Sequence, residues 1–123
     1  MKVLFLSSEI VPFAKTGGLA DVAGALPEAL KQLGVDVRVV IPYYRAVREG
    51  GFENEKIIPE LNVPFGAGEL TASVLETRTS GGVPVYLIDR EDMYDRPGLY
   101  GNHGSDYYDN MERFTFYTRA ALH

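Results

Sequence analysis

The sequence predicts an α/β fold, a largely parallel sheet covered by helices to give three layers, and three observations predict it. Residues 2–7 are continuously apolar after Lys2, the composition of a strand buried on both faces, and residues 35–41 are a β-branched run that reads as a second strand. Between them lie a glycine-containing loop and a stretch of helical periodicity. Strand, loop, helix and strand therefore follow one another within residues 2–41 as a βαβ unit, whose crossover is right-handed in nearly all proteins. A third apolar run, Val83-Pro84-Val85-Tyr86-Leu87-Ile88, supplies another central strand further along the chain.

Taken in order, the first strand is apolar after Lys2 and carries Ser7, Ser8 and Glu9 at its carboxyl end. A loop from Ser8 to Gly18 follows, in which Pro12 discourages regular structure. Helical spacing then places Leu19, Val22, Ala23, Leu26, Leu30 and Leu33 on one face, with Asp21, Glu28, Lys31 and Gln32 elsewhere. Pro27 removes a backbone donor inside this pattern and predicts a kink or loosening near residues 23–26, and Gly34 is a natural stop. The second strand, Val35-Asp36-Val37-Arg38-Val39-Val40-Ile41, is ended by Pro42.

Residues 43–51 read as a short helix or a loop closed by Gly50-Gly51. Residues 56–65 and 70–78 are strand-like and joined by Gly66-Ala67-Gly68, which predicts an antiparallel excursion near residues 56–78 before the chain rejoins the parallel sheet at 84–88. Pro84 stands near the start of that strand, where a missing donor does least harm. Residues 89–104 form a long polar and aromatic loop. At the carboxyl end of a strand such a loop is either functional or disordered, and its aromatic content argues for the first. A second helical pattern starts at Asp106 with Ser105 or Asp106 as N-cap. Tyr107, Met111, Phe114, Thr118 and Ala121 share one face, and Asp109 and Arg113 are spaced to pair at i,i+4.

Composition narrows the function. At 123 residues the chain is one domain at most, and short for a complete two-lobed enzyme. Its apolar content of 46% and charged content of 24% are those of an ordinary globular protein. A net charge of −5 argues against a dedicated nucleic-acid or anionic-membrane surface, and no apolar stretch approaches the roughly 20 residues of a membrane span. The absence of cysteine removes disulfides, thiolate metal sites and cysteine nucleophiles, and suits a reducing compartment. No His, Cys and Asp cluster has ligand spacing, so neither a metal nor a cofactor is expected. Lys2-Val3-Leu4-Phe5-Leu6 is too short for a signal-peptide core, and the chain is expected to begin with its fold.

The stretch Lys15-Thr16-Gly17-Gly18-Leu19-Ala20-Asp21-Val22 lies where strand hands over to helix. A helix start presents unpaired N–H groups and the positive end of the dipole, which favour an anion such as a diphosphate. Glycine there admits close approach and permits a positive φ, and Lys15 offers a mobile point charge. A tight strand-to-helix turn is the other reading of Gly17 and Gly18 that spacing leaves open. Asp21 in the first turn has likewise two readings, a partner for the dipole or an acceptor for sugar hydroxyls. The pattern is neither a dinucleotide fingerprint nor a Walker loop.

Tyr94-Asp95-Arg96-Pro97-Gly98 has two readings as well: a solvated loop, or a carbohydrate-facing one in which Tyr94 supplies a ring face and Asp95 accepts hydroxyl donors. His103 reads as a solvent-exposed loop residue, and Tyr107 and Tyr108 as core and boundary packing.

These stretches together resemble the amino-terminal part of bacterial glycogen synthases and plant starch synthases. The matching segments are Val3-Leu4-Phe5-Leu6-Ser7-Ser8-Glu9 with Pro12, the motif from Lys15 to Val22 with Gly24-Ala25-Leu26-Pro27, and Val37-Arg38-Val39 to Pro42-Tyr43-Tyr44. Val85-Tyr86-Leu87-Ile88-Asp89 through Tyr94-Asp95-Arg96-Pro97-Gly98-Leu99-Tyr100-Gly101 completes the set, so the likeness covers almost the whole chain.

The resemblance implies a retaining GT-B glucosyltransferase with two Rossmann-like lobes that transfers glucose from ADP-glucose to the non-reducing end of an α-1,4-glucan. By carry-over, Lys15 contacts the donor, the backbone at Gly17 and Gly18 its phosphate, and Asp21 the neighbourhood of the transferred glucose. Tyr94 and Asp95 line the cleft along which acceptor glucan passes. It implies further that residues 1–123 are a partial, acceptor-side amino-terminal domain, an incomplete Rossmann-like three-layer lobe. The carboxy-terminal nucleotide-binding domain, which holds the main catalytic groups, is expected outside this chain, and the chain by itself is expected to be inactive. ADP-glucose, glycogen and the remainder of the synthase are then its partners, without nucleic acid or membrane. The location implied is the bacterial cytoplasm, or a plastid for a plant source.

Overall fold

The computed structural model describes residues 1–122. Its elements run β1 (Lys2–Leu6), α1 (Gly18–Gln32), β2 (Asp36–Pro42), α2 (Arg45–Arg48), β3 (Glu55–Phe65), β4 (Gly68–Arg78), β5 (Pro84–Asp89), α3 (Glu91–Tyr94), β6 (Gly101–Asn102), β7 (Ser105–Asp106) and α4 (Asn110–Ala121). The five long strands form one mixed sheet in the order β1-β2-β5-β4-β3. Strands β1, β2 and β5 are parallel, whereas β4 pairs antiparallel with both β5 and β3. The excursion expected over residues 56–78 is therefore the β3–β4 hairpin, turned at Gly66 with φ of +62°.

Alternation along β2 assigns the layers. Val37, Val39 and Ile41 are buried on one face, and α1 packs there. On the other face Val40 pairs with Tyr86, and Val74 with Ile88, beside Ala120 and Ala121 of α4. Helices thus cover both faces of the sheet, as the apolar strands require.

Helix α1 corrects one expectation. The residues it buries are Ala20, Ala23 and Pro27, while Leu19, Val22, Leu26 and Leu33 are exposed, Leu33 by 80%. Small residues win the inner face because the helix runs close against the loop after β1: a Cβ built on Gly24 meets Val11 Cγ2 at 2.4 Å. The helix is unbroken through the buried Pro27. It stops as expected, with Gly34 at φ +88° and two bonds, Val35 N–H to Leu30 O and Gly34 N–H to Lys31 O, that form a Schellman motif.

Helix α4 is shifted in phase from the expected one. It buries Arg113, Phe116, Tyr117 and Ala120, leaves Met111 80% exposed, and has Asp109 at its N-cap. Tyr108 projects into solvent instead of packing at the boundary. Asp109 pairs with Arg96, whose guanidinium grips both carboxylate oxygens at 2.6 and 2.7 Å, and not with Arg113. The Arg113 guanidinium is instead turned inward to the carbonyls of Met93 and Leu99, which leaves Asp109 to the fork of Arg96. The segment read as an unbroken loop from 89 to 104 contains α3 and the first strand of the β6–β7 hairpin.

Candidate functional site

Open α/β sheets bind ligands beyond the carboxyl ends of their parallel strands. Here those ends carry residues 7–17 after β1, 43–54 after β2 and 90–100 after β5, and side chains tie the three segments together. Tyr44 Oη donates to Ser8 O at 2.7 Å, Tyr117 Oη to Ser7 O at 2.9 Å, and Arg45 Nε to Asp95 Oδ1 at 3.0 Å.

The glycine loop is assembled on Glu9. This side chain, only 3% exposed, stands three residues beyond the end of β1. Its Oε1 accepts the N–H groups of Thr16 and Gly17, both at 3.1 Å, and its Oε2 accepts Thr16 Oγ1 at 2.7 Å and Tyr100 Oη at 2.5 Å. Burial by itself raises a carboxyl pKa, but these four donors outweigh it and hold Glu9 down to about 2. Burial first, and then the Glu9 carboxylate, push the Tyr100 phenol up to about 12.

Gly17 is the N-cap of α1 with φ −164° and ψ −157°, so the permission for positive φ goes unused. A Cβ on Gly17 or Gly18 meets nothing within 4 Å, and the fold itself does not require glycine at either position. Glu9 occupies the Gly17 amide. The amides of Gly18 and Leu19 meet no acceptor among the described residues and stand open at the helix start. In the first turn of the same helix Asp21 holds Lys15, whose Nζ lies 2.8 and 3.0 Å from the two carboxylate oxygens, both side chains being half exposed. Lys15, Gly17, Gly18 and Asp21 are therefore brought together as one small polar surface.

Tyr94 and Asp95 lie apart from it, joined to it by no direct hydrogen bond. Asp95 is partly exposed and held by Arg45, which also donates to its carbonyl at 2.9 Å. Tyr94 corrects an expectation: it is 0% exposed and offers no open ring face. Its ring meets Tyr44 edge-on and its hydroxyl donates to Arg113 O at 2.6 Å. Burial pushes its phenol pKa well above the ordinary value. His103 is exposed at the tip of the β6–β7 hairpin.

Sequence reasoning passed over three participants. Glu9 carried a signal, an acidic residue shortly after an apolar strand. Tyr100 carried none beyond its place in an aromatic loop. Arg113 is fully buried and donates to Met93 O at 2.6 Å, Leu99 O at 2.9 Å and Asn110 Oδ1 at 2.8 Å, so it binds the loop around Tyr94 to α4. Its only mark was the i,i+4 spacing to Asp109, which pointed to a different partner. Among the described residues no group of three or more His, Cys, Asp or Glu is placed to hold a metal ion, and no helix is long and apolar enough to cross a membrane.

Comparison with known proteins bears on this surface. A family model described as the starch synthase catalytic domain matches residues 2–123. The glycogen synthase of Geotalea uraniireducens (strain Rf4) is 43% identical over 122 residues, covering 99% of this chain and 25% of the relative. That of Geobacillus stearothermophilus is 48% identical over 122 residues, covering 99% and 24%. Among solved structures, the catalytic domain of starch synthase IV from Arabidopsis thaliana, bound to ADP and acarbose, matches with a TM-score of 0.83 and 26% identity. That match covers 98% of this chain and 24% of the other. The chain spans about a quarter of the length of the curated relatives it matches.

Proposed function

This chain belongs to the family of starch synthase catalytic domains, and from that premise we propose that it forms the first part of the amino-terminal, acceptor-side lobe of a GT-B glycogen or starch synthase. The activity proposed for the whole protein is transfer of glucose from ADP-glucose to the non-reducing end of an α-1,4-glucan. The nucleotide-binding lobe and the main catalytic groups lie outside residues 1–123 in this reading. His123, the last residue of that span, lies outside the described residues. The proposed location is the bacterial cytoplasm, or a plastid for a plant source.

The observation that carries the reading is the start of α1, where two open amides, two glycines with free space above them and a lysine converge. Such a surface suits a diphosphate, because the amides and the dipole act over a short distance that a side chain would lengthen. Transfer breaks the bond between glucose C1 and the diphosphate oxygen, forms one from C1 to O4 of the glucan's terminal glucose with loss of that hydroxyl's proton, and leaves negative charge on ADP. Donors already aimed at that charge lower the barrier. In this role Lys15 exchanges its Asp21 partner for the diphosphate, and Asp21 is freed to accept a sugar hydroxyl. Asp95, already fixed by Arg45, faces the acceptor, while Tyr94 works from behind by holding Arg113 and α4. The starch synthase IV structure bound to ADP and acarbose supports a nucleotide and an oligosaccharide as the ligands.

A second reading, favoured by the quarter-length coverage, is a non-catalytic module that binds nucleotide sugar or glucan weakly. Titration of the labelled protein with ADP-glucose, and separately with maltooligosaccharide, tests both. Amide shifts confined to Lys15–Asp21 with ADP-glucose are the expected result. Shifts from neither ligand would sink the proposal.

A further inference from the structure

We infer that Tyr100 is a positioning residue for the 15–18 loop and that it acts through Glu9, so that the loop at the start of α1 and the segment after β5 are ordered together. The donor-affinity part of this inference rests on the proposed function, and the ordering part does not. Of the four donors on the Glu9 carboxylate, three belong to the loop it holds, and Tyr100 Oη alone comes from elsewhere in the chain. That hydroxyl also lies 2.7 Å from Ser8 Oγ, so it donates to Glu9 while accepting from Ser8.

Tyr100 is itself fixed from the α4 side. Its carbonyl accepts the Tyr107 N–H at 3.0 Å and Asn110 Nδ2 at 2.8 Å, and its ring lies 5.7 Å from that of Phe114. Asn110 in turn accepts from Arg113, which binds the carbonyls of Met93 and Leu99. A continuous set of bonds therefore runs from the Thr16 and Gly17 amides through Glu9 and Tyr100 to the residues that carry Tyr94 and Asp95.

The geometry also explains why the link acts on the loop. Without the Tyr100 hydroxyl the buried Glu9 Oε2 keeps only Thr16 Oγ1, and the carboxylate is free to turn toward the Ser8 hydroxyl that Tyr100 released. The Thr16 and Gly17 amides then lose the orientation that leaves the amides of Gly18 and Leu19 facing outward. Buried hydrogen bonds to a charged group are among the stronger ones, so removal of one is readable.

The test is Tyr100→Phe, which keeps the ring and removes only the hydroxyl, with Thr77→Val as a control that loses a buried hydroxyl bond to Glu53 O on the far hairpin. Hydrogen exchange of the Thr16 and Gly17 amides is expected to accelerate about tenfold in Tyr100→Phe, by the usual strength of a charged hydrogen bond. The Val47 amide, bonded to Tyr44 O, is expected to be unchanged. The dissociation constant for ADP-glucose is expected to rise about fivefold or more in Tyr100→Phe and to stay at the wild-type value in Thr77→Val. Unchanged exchange at Thr16 and Gly17, or acceleration shared equally by Val47, overturns the inference, and so does accelerated exchange with unaltered affinity. If the wild-type protein does not bind ADP-glucose, the proposed function falls, and the exchange result alone decides the coupling.

Discussion

At the scale of single residues, Glu9 makes the sharpest claim. Its folded pKa of about 2 lies below the ordinary carboxyl value of 4.5, so its contribution to stability is complete above the ordinary value. That contribution is lost as pH falls through 4.5 toward 2. A shift of this size on a buried group corresponds to roughly 3 kcal/mol. Acid titration of the melting temperature is expected to show a steep fall over that window, and Glu9→Gln is expected to flatten it. An acid limb unaltered by Glu9→Gln would assign the loss to other carboxylates. Gly18 separates fold from function at the same scale. A Cβ there meets nothing, so Gly18→Ala is expected to keep or raise the melting temperature, because alanine favours the helix by about 1 kcal/mol. Its ADP-glucose affinity is expected to fall, since the methyl group stands where the proposed function puts the diphosphate. Equal affinity would mean that the anion does not sit on this helix start.

At the scale of elements, two contacts decide how the helices sit. Helix α1 meets the loop after β1 at Gly24, where an added Cβ lies 2.4 Å from Val11 Cγ2. Overpacking of about 1–3 kcal/mol opposes the helix gain of about 1 kcal/mol, and a contact this short puts the clash at the upper end. Gly24→Ala is therefore expected to lower the melting temperature, and Val11→Ala added to it to recover most of the loss. Helix α4 is held through Arg113, whose guanidinium serves the Met93 and Leu99 carbonyls. Arg113→Leu is expected to cost about 2–4 kcal/mol in denaturant unfolding by leaving those carbonyls unpaired. Hydrogen exchange near residues 93–100 is expected to rise with it, and a neutral effect would show that water or backbone shifts replace the guanidinium. The burial of Ala20, Ala23 and Pro27 in place of the leucines belongs to this scale too. Periodicity places residues on common faces, but how closely a helix approaches its sheet decides which face turns inward.

At the scale of the whole molecule, the candidate site lies at the carboxyl ends of the parallel strands, and under the proposed function this chain is the first part of the acceptor-side lobe. Incubated with ADP-glucose and glycogen, this chain is expected to incorporate no glucose above a blank. The same chain fused to the remaining three quarters of a matched synthase is expected to do so. Incorporation by the chain alone would show that the cationic groups needed for ADP departure are already within it. The sequence by itself determined the βαβ unit, the antiparallel excursion near residues 56–78, the stop at Gly34 and the lysine-glycine stretch at a helix start. Each of these follows from neighbouring residues: apolar runs, turn glycines and the unpaired amides of a first turn. Only the tertiary structure decided that Glu9 holds that stretch, that Tyr100 reaches Glu9 from 91 residues away, and that Tyr94 lies inside the core with no exposed ring face. Those are meetings between distant segments, and a buried carboxylate takes whichever donors the packed sheet and helices bring within about 3 Å of it.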